Sequence, residues 1–304
     1  MTHGYPEDGV RGQSATKFAD LVAEYTDGKI TVDVHPLGTL FSASASFTAT
    51  VTDSVDIYWD PPYFVAAAGV PWVNLVYLGG LWAGVEHATR VFQNEMWIEK
   101  TKVDVEAKGV HVLGWVHESM NTTYPSNWAE TTDIRDFDGA KFGLRTGASP
   151  VPMSFLAGFA QVSVPQAEMF TALQQGVIDV MATGLTTCVG RSLWELVPYC
   201  HVQPIGPVST LACMSQNTWD SLPTEYQDLM SDVIMPEIFD FAEDLLVEME
   251  ADLIATVFEN FEYAYMDTPA QMAEYWIAMQ EFPITQGWMQ MAPAELFQMI
   301  EDMK

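Results

Sequence analysis

The chain has 304 residues, 49% hydrophobic and 12% aromatic, enough to bury a large core in one or two domains. Asp and Glu number 41, ordinary for this length, against only 12 Lys and Arg, so the formal charge of −29 comes from missing cations. With no basic stripe to neutralise phosphates, nucleic acid is close to excluded and anionic lipid is disfavoured; a solvated acidic face suits salty surroundings, where screening weakens self-repulsion.

In chain order, the start "MTHGYPEDGV" has no basic n-region and no long apolar h-region. That fits an intact cytoplasmic protein and equally a mature secreted one with a new Met1. Phe18, Leu21, Val22 and Tyr25 recur at helical spacing, Gly28 ends that helix, and Ile30, Val32 and Val34 alternate as a strand. A helix over 44–53 leads into the strand "DSVDIYWD". The uncharged stretch 61–85 is long enough for a bilayer, but Pro71, Asn74 and Gly79-Gly80 break it and Asp60 and Glu86 flank it, so buried strands and a loop are predicted. One amphipathic helix over 85–109 and the strand "VHVLGWV" follow, giving the βα alternation of an open α/β sheet.

The second stretch repeats the plan: "GAKFGLR" as strand, "PQAEMFTALQQG" as helix closed by Gly176, "VIDVMAT" as strand, then a helical "VGRSLWELV" and apolar strands around 198–215. From Thr224 to about Asn260 a long acidic helix is expected, bent or broken at Pro236. The tail is helical. Cys188, Cys200 and Cys213 permit at most one disulfide and lack CxxC spacing, so buried free thiols are the default.

Chemistry motifs are sparse. Gly139, Gly143 and Gly147 do not make GxGxxG; no Walker loop, GxSxG elbow or HExxH occurs. "HES" at 117–119 offers His117, Glu118 and Ser119, but sequence neighbours alternate across a strand and rarely form a relay. Arg145, one of five arginines, ends its strand among glycines with little bulk to shield it. It fits either a local Asp or Glu partner or a ligand carboxylate gripped through two parallel hydrogen bonds.

"FADLVAEYTDGKITVDVHPLGTL", "TDSVDIYWDPPY", "DFDGAKFGLRTG", "VPQAEMFTALQQGVID" and "NTWDSLP" together resemble the DctP-type extracytoplasmic solute-binding proteins of TRAP (tripartite ATP-independent periplasmic) transporters, over nearly the whole chain. The family's usual G-x-K-x-R strand is extended here by Gly143-Leu144, and the family's N-terminal strand and signal peptide are missing. The resemblance implies an α/β, two-lobed periplasmic-binding-protein fold (class II-like), each lobe an open sheet flanked by helices, with a long helix bridging them. Lobe I would comprise 1–115 plus 205–240, and lobe II 116–204 plus 241–304.

The implied function is capture of a small organic acid in an interlobe cleft and delivery to TRAP membrane subunits in the periplasm. No catalysis, cofactor, metal or membrane span is implied, and the chain would be a monomer or a homodimer. Arg145 would clamp the carboxylate; Thr183, Thr186, Asn121 and Tyr124 of lobe II and Trp59, Asp60 and Tyr63 of lobe I would complete the site. Met181-Ala182 lacks the Trp and Glu of the branch that binds through a metal ion, which favours direct binding. The rival readings are a hydrolase using His117 and Glu118 and a bilobed ligand sensor.

Overall fold

The computed structural model describes residues 1–145, 152–165 and 168–304. They divide into two compact units: Met1–Val73, Thr89–Glu118 and Ser209–Val247 form the first, and Asn74–Ala88, Ser119–Val208 and Glu248–Lys304 the second.

In the first unit a three-stranded sheet runs in the order β1 (Ile57–Asp60), β9 (Val208–Ser215), β2 (Val110–Ser119). β1 and β9 are antiparallel, with Ile57 opposite Met214 and Asp60 opposite Leu211. All four β1 residues are buried, so β1 shows no alternation. The helix Val10–Tyr25 covers it with Phe18, Leu21 and Val22, and the Phe18 and Trp59 ring centroids lie 5.3 Å apart. Tyr25, expected on that face, is exposed and donates its hydroxyl to Glu237. The helix ends at Tyr25, and Gly28 closes the turn as expected: at φ +72°, which glycine adopts freely, its N–H donates back to the Ala23 carbonyl at 2.7 Å.

Three expectations fail here. Residues 31–34 join no strand ladder. Beside them run the first residues of the chain, with the Met1 ammonium donating to the Asp33 carbonyl at 2.9 Å and Thr2 bridging both His35 and Tyr58, and a cavity of about 280 Å³ is lined by Ile30–Asp33 and by Ser54–Ile57. The stretch 61–85 holds no strand: Pro62–Ala67 is helical with Pro62 at its first turn, and Pro71–Tyr77 is a 3-10 helix. The single helix over 85–109 is two, Val85–Phe92 and Glu95–Glu106, divided where Asn94 Oδ1 accepts the Met96 N–H at 2.9 Å. Trp97 from the second helix meets Trp72 edge-on, Phe92 face-on and Trp115 at a tilt, all at 5.4 Å.

The second unit is built on a sheet in the order β10 (Tyr263–Met266), β8 (Tyr199–Gln203), β3 (Thr122–Ser126), β6 (Val180–Met181), β4 (Lys141–Arg145), β5 (Ala160–Val164); β7 (Thr183–Gly184) also pairs with β3. β4 is parallel to β5 and β6, whereas β3 is antiparallel to β6, β7 and β8. Asn74–Ala88, assigned by the sequence to lobe I, belongs to this unit, a correction explained by its glycines. A Cβ on Gly80, at φ +83°, would lie 2.4 Å from the Met272 carbonyl oxygen, and one on Gly79 would lie 2.4 Å from Met272 Cε. Only backbone fits so closely against the helix Pro269–Met279.

The long helix is not broken at Pro236. Thr224–Leu229 runs through a π turn at Met230–Ile234 into Met235–Asn260. The widened turn just ahead of the proline absorbs its missing N–H. The expected helix over 189–197 is instead the helix Leu185–Gly190, a left-handed Ser192 and a short 3-10 turn.

Candidate functional site

In the second unit, Gly143 sets where Arg145 emerges. A Cβ there would meet Ile178 Cδ1 at 2.6 Å and Met169 Cε at 2.9 Å, so the helix Met169–Gln174 presses directly on β4. β4 pairs with β6 through Phe142–Val180 and Gly143–Met181, and that pairing stops two residues short of Arg145. Between β6 and β7 the ladder skips Ala182, and the Ala182 carbonyl oxygen accepts from Arg145 Nη2 at 3.3 Å. Arg145 is half-buried at the C-terminal end of β4, where open α/β sheets receive their ligands. Gly147 lies outside the described residues.

The other predicted residues of this unit divide. Thr183 is buried and its carbonyl accepts from Thr123 Oγ1 at 2.9 Å. Thr186 is half-buried on the helix that follows, Leu185–Gly190. Asn121 is buried in the β2–β3 turn; its N–H donates to Ser119 Oγ at 3.0 Å, while its Oδ1 has no hydrogen-bond partner among the described residues. Tyr124 is committed to the core instead. Its hydroxyl donates to Gln203 Oε1 at 3.1 Å, and Gln203 Nε2 donates in turn to Asp267 Oδ2 at 2.8 Å. Asp267 also lies 3.0 Å from His201 Nε2 and accepts from the Tyr275 hydroxyl. Burial, with Asp267 adding, pushes the Tyr124 phenol up and keeps it neutral.

In the first unit, Asp60 and Tyr63 gather around a residue that the sequence did not single out for the site, Arg11. Asp60 is fully buried and accepts from the Gly4 N–H at 3.0 Å and from Ser46 Oγ at 2.9 Å. Burial raises its pKa to about 6 against the opposing pull of Arg11. Arg11, only 2% exposed, donates from Nε to Thr210 Oγ1 at 2.7 Å, pairs through Nη2 with Glu118, and lies 3.7 Å over the Tyr5 ring. Burial would drive its proton off, but Glu118, Tyr5 and Asp60 outweigh that and raise its pKa. The Tyr5 hydroxyl lies 2.8 Å from that of Tyr63. Trp59, by contrast, packs on Phe18 in the core. The only sequence signal for Arg11 was the scarcity of arginine itself.

His117, Glu118 and Ser119 do not form a relay. His117 is fully buried, stacks on Phe92 at 5.0 Å, and burial lowers its pKa to about 3. Glu118 is taken by Arg11, and the Ser119 hydroxyl donates to Glu250 Oε1 at 2.7 Å. Among the described residues no three His, Cys, Asp or Glu side chains gather into a set that would hold a metal ion, and no helix is long and apolar enough to cross a membrane.

Comparison with known proteins places this geometry. A TRAP periplasmic solute-binding protein of Desulfovibrio salexigens, solved with bound orotic acid, superposes with a TM-score of 0.87 at 19% identity, covering 99% of this chain and 96% of that one. One from Sulfurospirillum deleyianum, with bound succinate, gives 0.85 at 22% identity, covering 100% and 97%. The α/β, two-lobed fold expected from the sequence is therefore the fold of this chain. A solute-binding protein of Albidiferax ferrireducens is 24% identical over 242 residues, 77% of this chain and 70% of that protein. The family model for bacterial extracellular solute-binding proteins, family 7, matches residues 1–282, and the chain belongs to that family, DctP.

Proposed function

We propose that this solute-binding protein takes a small organic acid by its carboxylate, with Arg145 as the clamp, and passes it to the membrane subunits of a TRAP transporter in the periplasm. The observation that carries the reading is Arg145 itself: a half-buried residue at the C-terminal end of β4, its guanidinium beside the ladder break at Ala182. A planar guanidinium holds a carboxylate through two charge-assisted bonds, and partial burial strengthens them. On a chain of net charge −29, an anionic solute needs such a local positive focus. The two solved neighbours above hold orotic acid and succinate, both carboxylic acids.

In this reading Thr183, Thr186 and Asn121 Oδ1 hydrogen-bond the remainder of the ligand. In the first unit, Asp60 and Tyr63 contribute through the group around Arg11, while Trp59 and Tyr124 act as supports behind the contact residues. Binding without turnover is favoured over hydrolysis because His117 is buried and neutral and neither neighbour touches it as a relay would require.

The test is a thermal-shift screen of a carboxylic-acid library on wild type and Arg145→Ala. A ligand at about 100 times its Kd stabilises by about 2.7 kcal/mol, a Tm shift of roughly 5 °C or more for a chain of this size. A small set of acids is expected to shift wild type and leave the variant unmoved. Equal responses from both proteins would make Arg145 structural and overturn its role as the clamp; no response from either would overturn carboxylate binding.

A further inference from the structure

The thiols of Cys188 and Cys200 have no part in the function proposed above, yet the fold brings them together. Cys188 lies one turn into the helix Leu185–Gly190, on the same buried face as Leu185, and Cys200 is the second residue of β8. Both elements are tied to β3. β7 pairs with β3 through Thr123–Thr183 and runs directly into the helix, and β8 pairs along β3 with Cys200 opposite Pro125. The two cysteines sit in one apolar core with Leu193, Val197 and Val202, at 0% and 1% exposure, and Cys188 is the thiol that neighbours Cys200. Cys213 lies in β9 of the first unit.

From this juxtaposition, we infer that Cys188 and Cys200 form a redox pair that closes to a disulfide when the chain folds under oxidising conditions. The step balances as thiol–disulfide exchange. One thiolate attacks an external disulfide, such as glutathione disulfide or a disulfide oxidoreductase, and expels a thiol. The second cysteine then attacks the mixed disulfide and expels the other. The Sγ–Sγ bond forms, two protons and two electrons leave the cysteine pair, and the oxidant is reduced to two thiols.

Burial, with the Cys188 contact adding, holds the Cys200 thiol well above its ordinary range, so the thiolate is scarce once the core is sealed. Closure therefore belongs to folding, or to local opening of the helix Leu185–Gly190 and the turn after it. A secreted protein folds where such oxidants persist. The bond would fasten the helix that carries Thr186 to β8, fixing from behind a residue of the proposed ligand site.

The experiment is oxidative refolding of the full chain in a mixture of reduced and oxidised glutathione, followed by alkylation and peptide mapping without reduction. The expected result is a peptide pair joined through Cys188 and Cys200, lighter by two hydrogens, with Cys213 alkylated. Cys213→Ala should keep the link. Cys200→Ala should leave Cys188 alkylated or held by glutathione. Three alkylated cysteines in wild type, or a link through Cys213, would overturn the pairing. The mapping needs no carboxylate, so its failure and that of the Arg145 clamp are told apart.

Discussion

Replacing Arg11 with alanine tests whether the first unit depends on a buried charge group that the sequence does not advertise. The side chain is 2% exposed, and its removal deletes the 2.7 Å charge-assisted bond to Thr210, worth about 1.5–3 kcal/mol. Stacking on Tyr5 adds about 0.5–2 kcal/mol. The pair with Glu118 contributes less than a sealed one would, because Glu118 keeps 18% exposure and reaches water when its partner goes. Asp60 is the opposite case. It is fully buried and already raised to about 6, so losing the nearest cation drives it toward the neutral form at neutral pH. The sum is a loss of about 3–5 kcal/mol, the range for breaking a buried ion pair. Urea unfolding near pH 7, followed by tryptophan fluorescence, measures it. In the Arg11→Ala background Asp60→Asn should recover part of the loss, because it removes the carboxylate left without its cation. A cost below about 1 kcal/mol would refute the reasoning, as would a second substitution that only adds damage.

Two further outcomes follow from single residues. His117, lowered to about 3 by burial, is neutral when folded, whereas unfolded His117 takes up a proton near 6.5; stability from this group is therefore complete above about 6.5 and lost as pH falls toward 3. The slope is about 1.4 kcal/mol per pH unit, or about 2 kcal/mol by pH 5. His117→Phe, which keeps the stack on Phe92, should remove that slope when its unfolding curves are subtracted from wild type. The subtraction cancels the opposite trend of Asp60 between about 4 and 6, and an unchanged slope would reject the assignment. Gly80→Ala should cost about 2–4 kcal/mol in thermal melts, since the new Cβ would stand 2.4 Å from a carbonyl oxygen at a φ of +83°; a loss under about 0.5 kcal/mol would mean that the segment 74–88 does not pack as described.

Local chemistry in the sequence was a good guide where one element decides its own conformation. The helix over Val10–Tyr25 and the strand ending at Arg145 could both be read from spacing and glycines alone. The Asn94 cap could also have been read, since Asn followed by Glu95 is a helix-start signal, but continuous amphipathicity on both sides hid it. The strand expected over Ile30–Val34 has the right alternation, but its neighbour is the short run Met1–His3, which makes a single bridge at His35 instead of a ladder, a fact held by another part of the chain. Arg11 is the clearest case of what spacing cannot show. Its partners Glu118 and Thr210 are 107 and 199 residues away, and among helical neighbours an arginine looks like surface. Conversely, the family resemblance implied that Trp59 and Tyr124 would face a ligand, whereas fully buried Trp59 and the Gln203–Asp267 chain beneath Tyr124 hold both in the interior.

The aromatic knot of Trp72, Trp97 and Trp115 has an optical consequence. These indoles are at most 5% exposed, with Trp97 about 5.4 Å from each of the other two, close enough for excitation to hop among them before it is emitted. Their native emission should be blue, resistant to iodide and strongly depolarised, and it should move to the red when water reaches that core. Trp128, 40% exposed in the second unit, is the lamp that iodide can reach. Quenching it removes the exposed contribution, so the red shift that remains reports water reaching the buried indoles, Trp72, Trp97 and Trp115 among them.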